Sequence, residues 1–173
     1  MLAPSSPRKF TIFAILAGSM LIALAVLFVQ SLTGRAAAPD VTYMNLKGEK
    51  ISMQSLRGKV VLVNFWATTC STCVAEMPQM VSTYNKYHQQ GLELIAVAMS
   101  YDPPNLVLNY SETRNLPFHI ALDLQGKIAQ SFGDVKATPT TFLLDKQGRI
   151  IKRYEGKPSF EQLHKLLDIE LAV

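Results

Sequence analysis

The spacing of apolar positions changes several times along the chain, and each change marks a predicted element. Residues 41–52 alternate on either side of a central Lys-Gly-Glu turn, which predicts a β-hairpin. Residues 59–66 form a continuous β-branched and aromatic run, typical of a central strand that is buried on both faces. From residue 71 to 90 apolar side chains recur every three or four positions, which predicts a helix that ends at Gly91.

The second half of the chain continues this alternation of strands and helices. The predicted elements are, in order, a strand at 92–98, a helix at about 105–114, a short strand at 119–122, a short helix at 126–132, two strands at 140–144 and 148–154, and a final helix opened by a capping box at 159–162. The last two strands are joined by a turn so short that they must pair antiparallel. The order predicts an α/β sandwich with a mixed sheet.

The longest apolar run precedes all of these elements. Residues 10–32 carry no charged side chain over 23 positions, and about 20 helical residues are enough to cross the hydrocarbon core of a bilayer. Arg8 and Lys9 stand directly before the run, so the positive-inside bias places the N-terminus in the cytoplasm. We therefore predict a cytoplasmic leader at residues 1–9 and a single transmembrane signal-anchor at residues 10–32.

The remaining chain divides into a linker at residues 33–39 and a domain at residues 40–173, outside the membrane. A cleaved signal peptide is the alternative, because Ala36-Ala37-Ala38 resembles a cleavage site. Two features favour the retained anchor: the apolar run is longer than the core of a signal peptide, and Pro39 fits poorly directly after a cut. Under either interpretation the globular domain is exported.

Charge excludes one class of partner. The chain has 17 Lys and Arg against 13 Asp and Glu, a net charge of +4. Arg8, Lys9 and Arg35 precede the first acid, Asp40, so the domain itself carries 14 basic and 13 acidic residues. A nearly neutral, mixed surface gives no reason to expect nucleic acid as a partner.

The two cysteines, Cys70 and Cys73, are separated by two residues. A disulfide between them closes almost no loop and so stabilises the fold little through chain entropy. A structural zinc site needs four ligands, whereas the three histidines, His88, His119 and His164, are scattered along the chain. The pattern therefore indicates redox chemistry.

A strand that leads directly into Cys-x-x-Cys at a helix start has a specific chemical consequence. Unpaired N–H groups and the partial positive charge at the helix N-terminus stabilise a thiolate, so we expect the pKa of the Cys70 thiol to lie below the ordinary value of about 8.5. Cys70 is then the nucleophile, and Cys73 is the resolving thiol. Glu76 is one turn further on and is either a proton acceptor for Cys73 or a solvent-facing acid. Ser71 and Thr72 either donate hydrogen bonds or are ordinary helix-start residues.

Two other segments are considered as parts of the site because of their composition. Thr138-Pro139 stands between a helix and a strand, where position alone favours an ordinary trans turn proline. Residues 101–104 (YDPP) are candidates for a substrate groove, but turn and helix-start chemistry explains them adequately.

Two motifs together resemble a known family. Residues 63–73 (VNFWATTCSTC), followed by Glu76 and Pro78, are similar to the active-site signature of the thioredoxin superfamily. Residues 137–148 (ATPTTFLLDKQG) are similar to the second signature of the TlpA/ResA-like membrane-anchored thiol–disulfide oxidoreductases of bacteria. The resemblance covers the chain from Asp40 to its C-terminus.

The resemblance implies a thioredoxin fold with an N-terminal β-hairpin and a central βα insertion at residues 92–123. It implies that Pro139 is cis and packs beside the cysteines, and that Glu76 is the active-site acid. The redox group is the Cys70–Cys73 disulfide, with no further cofactor and no metal. The residues assigned to substrate binding are Trp66, Thr69, Ser71, Thr72, Thr138 and Pro139.

The chain also departs from the family at three places. Thr69 replaces the Trp that commonly precedes the first cysteine, which removes an aromatic side chain from the rim of the site. Asn64 stands six residues before Cys70, where thioredoxins hold a buried acid, so that Glu76 takes more of the proton-acceptor role. No proline lies between the cysteines.

The expected function is reduction of disulfides in exported proteins, among them apocytochrome c during haem attachment, at the bacterial inner membrane. Electrons would come from a transmembrane thiol carrier. One alternative is a Cu(I)-binding chaperone, since soft thiolates suit Cu(I) and His119 is the candidate for an added ligand. Another is a net oxidase of exported thiols, which the reduction potential alone distinguishes from a reductase.

Overall fold

The computed structural model describes residues 16, 18–25 and 34–172. The predicted leader at 1–9 and most of the predicted anchor at 10–32 lie outside the described residues. Within the described ranges, no helix is long and apolar enough to cross a membrane. The transmembrane anchor therefore stays a prediction from the sequence.

The folded unit from Ala36 onward contains two sheets and four α-helices in its described residues. The strands are β1 (Thr42–Met44), β2 (Lys50–Ser52), β3 (Val60–Trp66), β4 (Leu92–Ala98), β5 (His119–Leu122), β6 (Thr140–Leu144) and β7 (Ile150–Glu155). The helices are α1 (Ser71–Tyr87), α2 (Pro104–Thr113), α3 (Lys127–Ser131) and α4 (Phe160–Ala172). All of the elements predicted from residue 41 onward are present.

The main sheet has the strand order β5-β4-β3-β6-β7. β3 pairs parallel with β4, β4 pairs parallel with β5, and both β3–β6 and β6–β7 are antiparallel. All seven residues of β3 are buried, which confirms the central strand predicted from its β-branched and aromatic run. A mixed sheet between helices, preceded by the β1–β2 hairpin, is the architecture that the resemblance implied.

The alternating side chains of β3 supply two separate cores. Val60, Leu62 and Trp66 pack in a cluster with apolar residues of α1, α2 and α4. Val61, Val63 and Phe65 face the opposite side and pack in a second cluster with residues of α3. Because burial of one large aliphatic side chain contributes about 1.5–3 kcal/mol, these two layers fix β3 firmly.

Both edge strands of the main sheet, β5 and β7, are covered by backbone contacts from the N-terminal part of the domain. Asn45 forms a β-bridge with Ala121, so the hairpin shields the free edge of β5. Residues 36–38 bond to the chain at 148–150, with Ile150 N–H donating to the Ala36 carbonyl at 2.7 Å. The folded unit consequently begins within the predicted linker at 33–39.

Topology brings the chemically interesting segments to one end of the sheet. The carboxyl ends of β3 and β4 lie there because these strands are parallel. β6 runs the other way, so its first residue, Thr140, pairs with Phe65 near the end of β3. The cysteine pair after β3, the loop after β4 and the Thr138-Pro139 segment before β6 therefore meet at this end of the sheet.

Candidate active site

Cys70 lies at the start of α1, where it is the N-cap residue. After β3 ends, a tight turn reverses the chain, and the Cys70 N–H donates to the Ala67 carbonyl at 3.2 Å. The Cys70 sulfur accepts a hydrogen bond from the Cys73 N–H at 3.2 Å. One of the four orphan N–H groups of the helix start is thus directed at the first sulfur, as the sequence predicted.

The two cysteines form a disulfide, with their Cα atoms 5.2 Å apart. Their surroundings differ: Cys73 is completely buried, whereas Cys70 is only partly buried. Thr69, Ser71 and Thr72 are exposed around Cys70. An incoming disulfide can therefore approach Cys70 from solvent, and Cys73 can be reached only through Cys70.

The Thr138-Pro139 segment packs against the first cysteine. The carbonyl oxygen of Thr138 lies 3.6 Å from the Cys70 sulfur, and Pro139 is buried. The Thr138–Pro139 peptide bond is cis. The resemblance therefore predicted the isomer correctly, and the trans form that position alone favoured is wrong. The Pro139 carbonyl accepts a hydrogen bond from the Gly156 N–H at 2.8 Å, which ties this loop to the end of β7.

Glu76 is buried under the cysteine pair, with 1% of its surface exposed. The alternative of a solvent-facing acid is therefore wrong. One carboxyl oxygen, Oε1, accepts a hydrogen bond from Asn64 Nδ2 at 3.2 Å, and the same amide group donates to Thr141 Oγ1 at 2.9 Å. The other oxygen, Oε2, has no partner in the described structure.

Burial raises the pKa of the Glu76 carboxyl from 4.5 to about 7, although the Asn64 hydrogen bond and the charge of Lys157 both act to lower it. A carboxyl with this pKa exchanges its proton near neutral pH. Asn64 cannot take up a proton itself, because it is an amide. Its hydrogen bond instead holds Glu76 in place, one helical turn from Cys73.

Asp102, one of the groove candidates at residues 101–104, has a contact in the site that the sequence did not reveal. Its buried carboxylate accepts hydrogen bonds from the backbone N–H of Thr68 at 2.6 Å and from the Thr68 hydroxyl at 2.5 Å. The helix-start explanation for Asp102 needs a correction, because Pro103 is the N-cap of α2 and the carboxylate bonds across the site instead. No local pattern signals a contact between residues 34 positions apart.

Trp66 also differs from the expectation. It is completely buried, and its ring packs against Tyr110 with centroids 5.4 Å apart. This burial contradicts a direct contact with substrate, because the last residue of β3 points into the α1-facing core. Trp66 instead supports the turn that carries the cysteines.

His119 lies away from the cysteine pair. It is on β5, two strands from β3, and is paired with Ile95 in the middle of β4. Its Nε2 atom is 3.8 Å from Glu93 Oε2. The histidine that the copper alternative required as an added ligand therefore lies beside Glu93 and not beside the cysteines. The described residues contain no group of three or more His, Cys, Asp or Glu that could hold a metal ion.

Comparisons with known proteins agree with this geometry. Residues 33–167 match the family model described as Redoxin. The chain is similar to the thiol-disulfide oxidoreductase ResA of Bacillus thuringiensis subsp. konkukian, with 38% identity over 131 residues, which cover 75% of this chain and 74% of that protein.

Solved structures give the same result. The fold is similar to that of StoA from Bacillus subtilis, with a TM-score of 0.65 and 28% identity, covering 75% of this chain and 97% of the other. It is also similar to a thiol:disulfide interchange protein of the thioredoxin family from Chlorobium tepidum TLS, with a TM-score of 0.72 and 25% identity, covering 79% and 97%. These neighbours support the predicted thioredoxin fold.

Proposed function

The chain belongs to the Redoxin family and is a ResA-like thiol–disulfide oxidoreductase, and from this premise we propose that it reduces disulfides of exported proteins outside the bacterial inner membrane. One observation carries the proposal. A partly exposed sulfur stands at a helix start, and the second sulfur and a carboxyl with a pKa of about 7 are buried behind it.

The reaction begins with the cysteine pair reduced. The Cys70 thiolate attacks one sulfur of the substrate disulfide, so that a mixed disulfide forms and the first substrate thiolate leaves. The Cys73 thiolate then attacks the Cys70 sulfur, closes the Cys70–Cys73 disulfide and releases the second substrate thiolate. Two electrons pass from the cysteine pair to the substrate, and each substrate thiolate takes up one proton.

In the second step, Glu76 is the acceptor of the Cys73 proton. Cys73 must lose its proton before it can attack, but its side chain is completely buried. In its ionised form the Glu76 carboxylate accepts that proton one helical turn away, and in its neutral form it returns it. A pKa of about 7 keeps both forms populated near neutral pH.

The proposed location follows from the sequence. The apolar run at residues 10–32 would hold the protein in the inner membrane as a single-pass signal-anchor, with the leader at 1–9 in the cytoplasm. The thioredoxin-like domain would then lie on the periplasmic or outer side. There the oxidised pair would be reduced again by a transmembrane thiol carrier, and apocytochrome c is the substrate class that we propose first.

The reduction potential of the Cys70–Cys73 couple tests the direction of the reaction. The full-length chain is equilibrated against mixtures of reduced and oxidised dithiothreitol, and its free thiols are counted by alkylation. We expect a value near or below that of thioredoxin, about −270 mV, since a reductase must hold its electrons at low potential. A value near about −120 mV would instead make the protein a net oxidase of exported thiols.

A further inference from the structure

Tyr101 is an exposed aromatic residue at the rim of the site. It lies in the loop after β4, and 56% of its surface is exposed. In the described part of the chain, every other Phe, Tyr and Trp is partly or fully buried. Its hydroxyl makes a 3.2 Å hydrogen bond with Thr138 Oγ1. Tyr101 is therefore fixed to the residue whose carbonyl faces the Cys70 sulfur.

The loop that carries Tyr101 is held from a second side. The next residue, Asp102, is buried and accepts both hydrogen bonds from Thr68, two residues before the first cysteine. The Asp102 N–H donates to the Met99 carbonyl at 2.9 Å, and the Met99 N–H donates to the Trp66 carbonyl at 3.0 Å. Tyr101 thus lies between the two segments that form the site and is held by its hydroxyl.

The ring of Tyr101 is exposed beside the reactive sulfur. An exposed aromatic ring that is held through its hydroxyl offers a large contact area at little cost in conformational entropy. Thr69 leaves the rim without an aromatic side chain next to Cys70, and Trp66 is buried. Tyr101 supplies the missing aromatic surface from another loop.

We propose that Tyr101 is a specificity-determining residue, whose ring contacts the polypeptide segment beside the disulfide under attack. A substrate sulfur must reach the Cys70 sulfur, which lies 3.6 Å from the Thr138 carbonyl oxygen. The residues flanking that sulfur then pass the side chain of Thr138 and the ring that is bonded to it. Disulfides carried by an extended polypeptide gain this contact, and small disulfides do not. The inference deepens the proposed function and rests on it.

The test compares two oxidants on the same reduced, full-length protein. One is a short synthetic peptide closed by a Cys-x-x-Cys disulfide, and the other is bis(2-hydroxyethyl) disulfide, which has no flanking chain. The variants are Tyr101→Ala, which removes the ring, and Tyr101→Phe, which removes only the hydroxyl. Ile169→Ala is the matched control, since Ile169 is equally exposed, at 58%, but lies near the end of α4.

Rate constants for loss of the protein thiols give the result. We expect Tyr101→Ala to react with the peptide about three- to tenfold more slowly, the size of one aromatic contact, while its rate with the small disulfide is unchanged. Ile169→Ala should stay within about twofold of the parent chain with both oxidants. Tyr101→Phe keeps the ring but loses its bond to Thr138, so its rate with the peptide should fall between those of Tyr101→Ala and the parent chain. The ratio of the two rates cancels any loss of folded protein.

Two outcomes would overturn the inference. Equal slowing of both oxidants by Tyr101→Ala would mean that the residue acts on the cysteine pair itself, and an unchanged peptide rate would mean that the ring touches no substrate. Neither outcome bears on the direction of the reaction, which the reduction potential decides. Failure of this inference and failure of the proposed function are therefore distinguishable.

Discussion

The two sulfur atoms of the site are bonded to each other, yet they lie in different environments. Around Cys70 the rim is open, and it includes exposed threonine and serine side chains, the Thr138 carbonyl and the ring of Tyr101. Around Cys73 the interior is closed, and the buried carboxyl of Glu76, held by Asn64, is one helical turn away. The rim and the interior are separated by a single turn of α1.

The difference shows how one short motif serves two tasks. Reaction with a large substrate requires an accessible sulfur, and release of that substrate requires a second sulfur that competing disulfides cannot reach. Burial, which protects Cys73, also raises the pKa of Glu76 to about 7. The rim therefore controls which disulfide reacts, and the interior controls when the proton moves. Substitutions at the two cysteines, at Glu76 and in the Thr68–Asp102 pair test this division.

Replacement of one cysteine at a time should give the largest effect. In Cys73→Ser the exposed nucleophile remains but nothing releases the substrate, so turnover should fall by several orders of magnitude and a mixed disulfide should accumulate. Cys70→Ser should be equally inactive. Intact mass measurement after mixing with an oxidised peptide checks the prediction, with one peptide attached to Cys73→Ser. A comparable adduct on Cys70→Ser would show that the interior is open to substrate.

Replacement of the interior acid should have the next largest effect. Glu76→Gln keeps the size of the side chain but removes the proton acceptor, so the release step should slow by about 100-fold, while formation of the mixed disulfide is nearly unchanged. In the parent chain the release rate should rise with pH through about 7, because the ionised carboxylate is the active form. Stopped-flow measurement of both steps across pH tests this. If the variant keeps the same pH profile, Glu76 has no part in the reaction.

The stability of the oxidised protein gives an independent check on Glu76. The folded carboxyl binds its proton up to about pH 7, whereas the unfolded one loses it near 4.5. In that window the folded state binds more protons, so the free energy of unfolding should fall as pH rises, by on the order of 3 kcal/mol.

Glu76→Gln has no proton to lose at this position and serves as the control for stability. Burial lowers the pKa of His164, and this residue titrates in both proteins. Only the difference between their denaturation curves is therefore attributed to Glu76. A difference that does not change between pH 5 and pH 8 would contradict the raised pKa.

Removal of the hydrogen bonds between Thr68 and Asp102 should have the smallest effect. Asp102→Ala leaves the Thr68 N–H without its acceptor, so the free energy of unfolding should fall by about 2 kcal/mol, and attack by Cys70 should slow several-fold. Thr68→Val removes the hydroxyl bond alone and should cost about half as much. Chemical denaturation and the rate of mixed-disulfide formation measure both. An Asp102→Ala protein of parental stability would show that the Thr68–Asp102 hydrogen bonds do not contribute to the free energy of unfolding.

The amino-acid sequence by itself determined most of the elements and the reactive pair. The β-branched and aromatic run at 59–66 predicted a central strand, and the change of period at residue 71 placed both cysteines at a helix start. These features are local, because periodicity and helix-end chemistry depend on neighbouring residues. The sequence also suggested two roles for Glu76 without deciding between them.

Tertiary structure decided the rest, because burial and long-range contacts are properties of the folded chain. It placed Glu76 in the interior and Trp66 out of reach of substrate. It also brought Asp102 to Thr68 and Tyr101 to Thr138, pairs that are 34 and 37 residues apart. Such pairs meet only after the strands order themselves in the sheet, and the pKa of a carboxyl is set only when the water around it has been excluded.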